Sequence, residues 1–374
     1  MKVLLVFTFG YSLKTWSDSG TLYKELEIYK VLFKKYNIEF LFITYGDESD
    51  LEIDLSEYGI KVFPVYIYIK KYKSKFLNYL FSFLLPFKLI KEETILSEVN
   101  LIKQNQLLGS WVSLLLKKNI KKPLFLRTGY DMYKFSKEEK KNLFVIFLYK
   151  MLTKLSFKFS DLYSVSSESD LNFFKKQLGL NGDKLVYRPN FISKKIIKYT
   201  KNRYQDRILC VGRLEEQKNF KFIIQEFSNT DFVIDIVGDG SQKSYLSQFA
   251  KKNNTKINFL GKLSNEDLNN LYQKYNFFVN ASFFEGSPKT VLEAMANECL
   301  VFVSNIPNHT EIISHLKNGY VFNIESSSLK NLVLDSKNID QNNLKSNALK
   351  RIEIDYSTEK AIEIEYQDYK NLIS

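Results

Sequence analysis

Cysteine, histidine and arginine are scarce in this chain, and each scarcity removes a class of function. Two cysteines in 374 residues, Cys210 and Cys299, leave no disulfide scaffold and no thiolate metal cluster. Both sit in apolar, strand-like contexts, which fits a reducing cytosolic compartment. The two histidines, His309 and His315, fall in the second half, so the first half has no imidazole for acid–base work. Only six of the 54 basic residues are Arg (Arg127, Arg188, Arg203, Arg207, Arg213 and Arg351). Nucleic-acid surfaces cluster Arg with Lys, so this evenly spread lysine argues against such a partner. No apolar run of about 18 residues is present, so no transmembrane helix is expected. The N-terminus runs straight into a strand-like stretch, Lys2 to Phe7, without a signal-peptide layout.

What is present suits a soluble α/β protein. Apolar residues make up 45% and charged residues 26%, and 374 residues suffice for two domains. The formal charge of +12 is lopsided, because residues 1–190 carry 30 Lys/Arg against 20 Asp/Glu. A basic first half faces either anionic lipid head groups or plain solvent. Residues 63–97 set a Lys- and Tyr-rich segment beside an aromatic apolar one, Phe76 to Pro86. That pairing reads as an interfacial anchor, the alternative being a buried helix after a basic loop.

Strand-like and helical patterns alternate along both halves, which argues for parallel sheets carrying helices on both faces. In the first half, Val3–Phe7, Glu39–Thr44, Lys61–Tyr66, Leu124–Arg127, Leu162–Ser166 and Leu185–Tyr187 read as strands. In the second, Ile208–Val211, Phe232–Val237, Ile257–Leu260, Phe277–Val279, Leu300–Ser304 and Tyr320–Phe322 do so. A loop from Gly10 to Gly20 leads from the first strand into a helix. Its glycines allow backbone to approach a ligand, though their spacing is not the dinucleotide fingerprint. Arg127 closes a strand before Gly129-Tyr130-Asp131. Its guanidinium suits phosphate or carboxylate, or else a structural ion pair with Asp131 or Asp161.

The most informative stretch runs from Ser282 to Ala296. A buried strand precedes it, and Val291, Leu292, Met295 and Ala296 recur at helical spacing after it. Ser287 reads as the N-cap and Pro288 as the first helical residue, leaving the N–H groups of Lys289 and Thr290 for an anion or a sugar hydroxyl. Glu285 precedes the helix, and Glu293 follows eight positions later on the face of Thr290. Helical side chains lean back toward the N-terminus, so both acids can reach one ligand. Upstream, Arg213 leaves a strand end and Lys218 stands where a helix begins. A cation there opposes the helix dipole at roughly 0.3–1 kcal/mol, which makes sense if an anion shares the site.

The ordered set Gly212-Arg213-Leu214…Lys218, Gly238-Asp239-Gly240, Gly261, and Glu285-x7-Glu293 resembles the retaining GT-B glycosyltransferases of family 4. The likeness is close over about residues 205–325 and loose elsewhere. It implies two Rossmann-like domains facing across a cleft: residues 1–190 on the acceptor side, a linker at 191–205, a donor domain at 206–355, and a C-terminal helix, 356–374, crossing back to the first domain. It further implies that Arg213 and Lys218 hold the donor diphosphate and that Glu285 binds the donor sugar. Glu293 would take the ribose hydroxyls, Gly261, Lys262 and Leu263 would flank the base, and Gly286, Ser287, Pro288, Lys289 and Thr290 would position sugar and phosphate. Gly10 and Gly20 join the donor side, with Arg127 and Tyr130 on the acceptor side.

No metal or other cofactor is expected, in keeping with the absence of an Asp-x-Asp cluster in the second half. Many members of the family carry a first-domain histidine, which this chain lacks. The function implied is transfer of a sugar from a nucleotide diphosphate-sugar to a lipid-linked saccharide in surface polysaccharide or glycolipid assembly. The expected place is the cytoplasm, peripheral on the inner face of the membrane, with an anionic membrane surface as a further partner. The alternatives are a sugar-nucleotide epimerase of similar architecture and a peripheral membrane protein whose nucleotide site is inert.

Overall fold

The computed structural model describes residues 1–129, 131–192 and 202–374. The chain divides into two compact units, residues 1–189 with 361–374, and residues 190–360.

The first unit is built on seven parallel strands, β1 (Lys2–Val6), β2 (Glu39–Thr44), β3 (Ile60–Pro64), β4 (Leu101–Asn105), β5 (Leu124–Thr128), β6 (Leu162–Val165) and β7 (Leu185–Tyr187). Their spatial order is β3-β2-β1-β4-β5-β6-β7, so the direction of winding reverses between β1 and β4. The second unit has six, β8 (Tyr204–Val211), β9 (Val233–Val237), β10 (Lys256–Gly261), β11 (Tyr275–Asn280), β12 (Leu300–Ser304) and β13 (Tyr320–Phe322). These are ordered β10-β9-β8-β11-β12-β13, and the reversal falls between β8 and β11. In open parallel sheets that reversal opens a crevice at the carboxyl ends of the two strands.

Strand alternation builds two cores in the second unit, one on each face. Ile208 and Cys210 of β8 pack with Phe277 and Val279 of β11 on one side. Leu209 packs with Phe278, Val291 and Met295 on the other. Successive side chains point to opposite faces, so helices must cover both. The two cysteines are buried and free.

Three local expectations need correction. The central strand β4 has no apolar signature beyond Leu101 and Ile102, because Lys103 and Gln104 follow them into the interior. The third strand ends at Pro64 and gives way to a short helix, Val65–Tyr68, since the proline has no N–H to continue a ladder. The loop after β1 contains a helix of its own, Leu13–Asp18, in which Ser12 and Thr15 cap each other reciprocally.

The final helix, Thr358–Ile373, supplies residues 361–373 to the first unit. Buried Lys103 forms an ion pair with Glu365, which also accepts from the Tyr369 hydroxyl. Arg188 grips Asp368 with two bonds of 2.7 and 2.8 Å, and Tyr36 stacks on Tyr366 at 3.8 Å between ring centroids. Burial raises the Glu365 carboxyl, but the charges of Lys103 and Arg127 outweigh it and hold the pKa below its usual value.

Glu365→Ala strands the Lys103 ammonium in the core, so urea unfolding should show a loss of about 3 kcal/mol. Adding Lys103→Met should recover most of that loss.

Candidate active site

The site is built on the carboxyl ends of β8, β11 and β12, at the reversal point of the second sheet. Every residue of β11 is buried, which drives this strand through the core and delivers the following turn to the crevice. Asn280 Oδ1 accepts from the Ser282 N–H at 3.0 Å. The Ser282 hydroxyl stands 2.6 Å from that oxygen and 2.7 Å from Glu285 Oε1. It has one proton for both, and the carboxylate is the stronger acceptor. Asn280 Nδ2 reaches the same Oε1 at 3.3 Å.

The loop after β8 completes this arrangement. Lys218 Nζ lies 2.5 Å from Glu285 Oε1, with side chains 15% and 8% exposed. Gln217 straps the two loops together: its carbonyl accepts from the Phe283 N–H at 2.9 Å, and its amide donates to the Phe284 carbonyl at 2.7 Å. Lys218 ends a single 3-10 turn, Glu216–Lys218, and left-handed Asn219 separates it from the helix Phe220–Glu226. The donors named here all converge on Oε1, leaving Oε2 as the face of Glu285 for a ligand. Burial raises the Glu285 carboxyl, but the Lys218 charge and then His309 and the hydrogen bonds hold it below its usual value.

Gly238 makes the close approach of these loops possible. A Cβ there would sit 1.9 Å from the Gly212 carbonyl oxygen, and its φ of +138° suits only glycine. The Gly238 N–H in turn donates to the Gly261 carbonyl at 2.8 Å. Gly238-Asp239-Gly240 is therefore a packing device that presses the β8 and β9 loops together.

The residues singled out in the second half each have a definite place. Arg213 is exposed; the Ser241 N–H and hydroxyl hold the Glu215 carboxyl below its usual value, and the Arg213 charge adds to this. Glu293 is buried on the helix Lys289–Ala296, with the Tyr272 hydroxyl 3.3 Å from its Oε2. Pro288, not Ser287, occupies the N-cap, and no side chain caps the helix. The Pro288 carbonyl accepts from Val291 at 3.0 Å, while the Lys289 N–H turns back to the Ser287 carbonyl at 2.9 Å. Of the two N–H groups expected to point outward, the Lys289 one is therefore occupied. Gly286 is buried and its carbonyl accepts from Asn308 at 2.5 Å. Gly261 has a left-handed φ of +71°, Lys262 is exposed, and Leu263 packs against the core beside Val291 and Met295.

Gly10, Gly20 and Arg127 belong to the first unit. Gly10 follows β1 with a φ of +85°, and Gly20 lies between the helices Leu13–Asp18 and Leu22–Tyr36. Arg127 donates to the Pro189 carbonyl at 3.0 Å. Neither acid proposed as its ion-pair partner takes that part. Asp131 caps the helix Met132–Glu138, and Asp161 pairs with Lys117 at 2.5 Å. Tyr130 lies outside the described residues, as does 193–201 of the linker expected at 191–205.

Sequence reading missed His309. It is fully buried on the short helix Pro307–Thr310, and its Nδ1 is 3.0 Å from the Ser304 carbonyl oxygen. That acceptor assigns the proton to Nδ1, leaving Nε2 as an acceptor with no hydrogen-bond partner among the described residues. The same segment latches the β11 turn: Ser304 Oγ donates to the Ser282 carbonyl at 2.6 Å, and Asn308 holds Gly286. The only signal in the sequence was that two histidines exist. Burial lowers the His309 pKa to about 4, with nearby Glu285 pulling it the other way. Among the described residues, no three His, Cys, Asp or Glu side chains are grouped to hold a metal ion.

The pH dependence of stability follows from His309. Its folded pKa of about 4 lies below the ordinary value of 6.5, so the unfolded chain takes up a proton first. The contribution is therefore complete above pH 6.5 and fades as pH falls toward 4. Urea midpoints should drop over that window with a slope of at most about 1.4 kcal/mol per pH unit. In His309→Asn the slope should flatten. The contribution of Glu285, whose carboxyl is held below 4.5, should persist to lower pH and fade only as pH falls through its depressed value.

Residues 191–351 match the family model described as glycosyl transferases group 1. The GalNAc-alpha-(1->4)-GalNAc-alpha-(1->3)-diNAcBac-PP-undecaprenol alpha-1,4-N-acetyl-D-galactosaminyltransferase of Campylobacter jejuni is 26% identical over 154 residues, 40% of this chain and 42% of that protein. The alpha-monoglucosyldiacylglycerol synthase of Acholeplasma laidlawii is 28% identical over 134 residues, 33% of each. The chain thus spans less than half the length of these curated relatives. Among solved structures, sucrose-phosphate synthase from Thermosynechococcus elongatus superposes with a TM-score of 0.77 at 16% identity, over 100% of this chain and 99% of that one. Anabaena Alr3699/HepE in complex with UDP and glucose gives 0.74 at 16% identity, over 100% of both. At that identity the likeness is one of fold.

Proposed function

Starting from a chain of GT-B fold whose residues 191–351 match the group 1 glycosyl transferases, we propose that it transfers a hexosyl group from a nucleoside diphosphate-sugar to a lipid-linked saccharide, with retention of configuration and without a metal ion. The observation that carries this reading is the Lys218–Glu285 pair at the sheet's reversal point, 2.5 Å apart. It puts a cation and a hydroxyl-binding carboxylate side by side in a crevice suited to a phosphorylated sugar.

In this reading Lys218 and Arg213 take the donor diphosphate and stabilise charge on the leaving nucleotide, the work otherwise done by a divalent cation. Glu285 binds donor sugar hydroxyls through the oxygen its own network leaves open. Glu293 takes the ribose, the Gly261–Leu263 turn flanks the base, and the main chain from Gly286 to Thr290 positions sugar and phosphate. Gly10 and Gly20 contribute from the first unit, with Arg127 and Tyr130 toward the acceptor. The bond from the sugar's anomeric carbon to the phosphate oxygen breaks. A new bond to the acceptor oxygen forms on the same face, and the departing phosphate takes the acceptor's proton.

A lipid-linked acceptor is supported by the two curated relatives, whose names specify an undecaprenol-linked glycan and a glucosyl diacylglycerol. The lysine- and aromatic-rich segment 63–97 supports contact with an anionic membrane at its cytoplasmic face. No helix among the described residues is long and apolar enough to cross a membrane.

A thermal-shift panel with UDP, GDP, ADP and CDP tests the donor site, since a ligand of the folded state raises the midpoint by mass action. One nucleotide should shift it selectively, with EDTA making no difference; no shift with any would overturn the reading. Lys218→Ala should weaken the diphosphate far more than the matching nucleoside. Glu285→Gln, which keeps the neutral hydrogen bonds, should lower transfer by about 10²-fold or more while nucleotide binding persists.

A further inference from the structure

The helix Leu143–Phe159 in the first unit is apolar nearly all round, and most of its large apolar side chains face away from the core. Its fully buried positions are Thr153, Ser156 and Phe157. The contact of Ser156 is with a neighbouring helix, Ser110–Ile120, where its Oγ lies 2.9 Å from Ser110 Oγ. Its outward side carries Leu143, Phe144, Phe147, Leu148, Met151 and Phe159, all exposed, the first two at 82% and 66%. Surface helices normally turn such residues inward. A contiguous apolar patch on a soluble protein marks an interaction site.

A second helix extends the patch. Lys75–Ser82 covers the other flank of Ser110–Ile120, with Tyr79 against Trp111 at 4.5 Å and the Trp111 indole donating to Ser82 at 2.9 Å. Phe76 and Leu80 of this helix, and Phe87 just beyond it, are exposed. Both helices thus pack on Ser110–Ile120, Lys75–Ser82 through Trp111 and Leu143–Phe159 through Ser110.

Charge selects what covers this face. Residues 70–91 contain six lysines and no acid, and residues 140–160 contain five lysines and no acid. A protein partner of matching chemistry would need an acidic rim around an apolar centre. An anionic bilayer presents that combination everywhere on its surface. The longer helix has 17 residues, about 25 Å, and three lysines, which suits lying in the interface plane. We propose that the outward face of Leu143–Phe159, continued by Lys75–Ser82, is a docking surface for an anionic phospholipid membrane. The apolar side chains enter the acyl boundary, and exposed Lys154 and Lys158 reach the phosphates. This deepens the membrane-contact part of the proposed function and rests on it. It also moves the centre of that contact from residues 63–97 to a helix the sequence reading passed over.

The test is co-sedimentation of the full chain with vesicles of phosphatidylglycerol and phosphatidylcholine, and with phosphatidylcholine alone. The native chain should bind the anionic vesicles and largely ignore the neutral ones. The triple variant Phe144→Glu/Phe147→Glu/Met151→Glu changes exposed positions only, so its melting midpoint and its nucleotide-induced shift should match the native chain. Its partition to anionic vesicles should fall at least tenfold. Lys154→Ala/Lys158→Ala should sharply reduce the preference for anionic over neutral vesicles. Native binding that survives the triple variant overturns the proposal, as does failure of the native chain to bind anionic vesicles. A concentration-dependent dimer that the triple variant converts to monomer also overturns it, by showing that a second copy covers the face. Nucleotide shifts read the donor site separately, so failure here leaves that reading intact.

Discussion

The contact between Lys218 and Glu285 is the constraint on which the candidate site depends. Each charge alone would be costly at its depth, and each is tolerable because the other is 2.5 Å away. The two residues lie 67 positions apart on loops after different strands, so the pair also sets the distance between those loops. Gln217 repeats the constraint with main-chain bonds on either side, and Ser304 and Asn308 impose it from the third loop. A ligand anion arriving at Lys218 would therefore meet a cation already aimed by its surroundings, with little reorganisation left to pay for.

Parallel topology makes this convergence possible. All six strands of the second sheet run the same way, so the loops leaving their carboxyl ends share one edge. The reversal between β8 and β11 then leaves room where two crossovers diverge. Glycine completes the geometry: the Gly238 position permits the β9 loop to lie against the Gly212 carbonyl, which no side chain would allow. His309 shows a different use of burial. Held by the Ser304 carbonyl and kept neutral, it places an acceptor nitrogen in the interior near the carboxylate without adding a competing charge.

The first unit keeps a few charged groups inside its apolar core and a row of apolar groups outside it. Lys103 and Glu365 are charged and buried, and Arg188 and Asp368 lock the end of the chain onto the sheet. Meanwhile Phe144 and Phe147 face outward. Buried ion pairs contribute little net stability compared with apolar packing, though losing one partner is expensive. Their value here is specificity: they leave the last helix one docking register. The exposed apolar helix face gains nothing in water, which is the reason for proposing that a lipid surface covers it.

Local pattern by itself determined the alternation of strands and helices, the class of both sheets, and the Glu285-to-Glu293 stretch with its strand before and helix after. Those features are written in neighbouring residues, through period-two and period-3.6 burial and through turn chemistry. Tertiary structure alone decided the rest. β4 escaped notice because Lys103 finds its counter-charge 262 residues later, and no local rule foretells that a lysine will be buried. The N-cap moved from Ser287 to Pro288 because neighbouring loops, not a capping side chain, hold the helix start. His309 looked ordinary until β12 carried it beneath the Glu285 turn. The helix Leu143–Phe159 is apolar nearly all round, so its periodicity could not say which side would be covered. A sequence records how apolar each residue is, but burial is settled by partners that only the folded chain brings together.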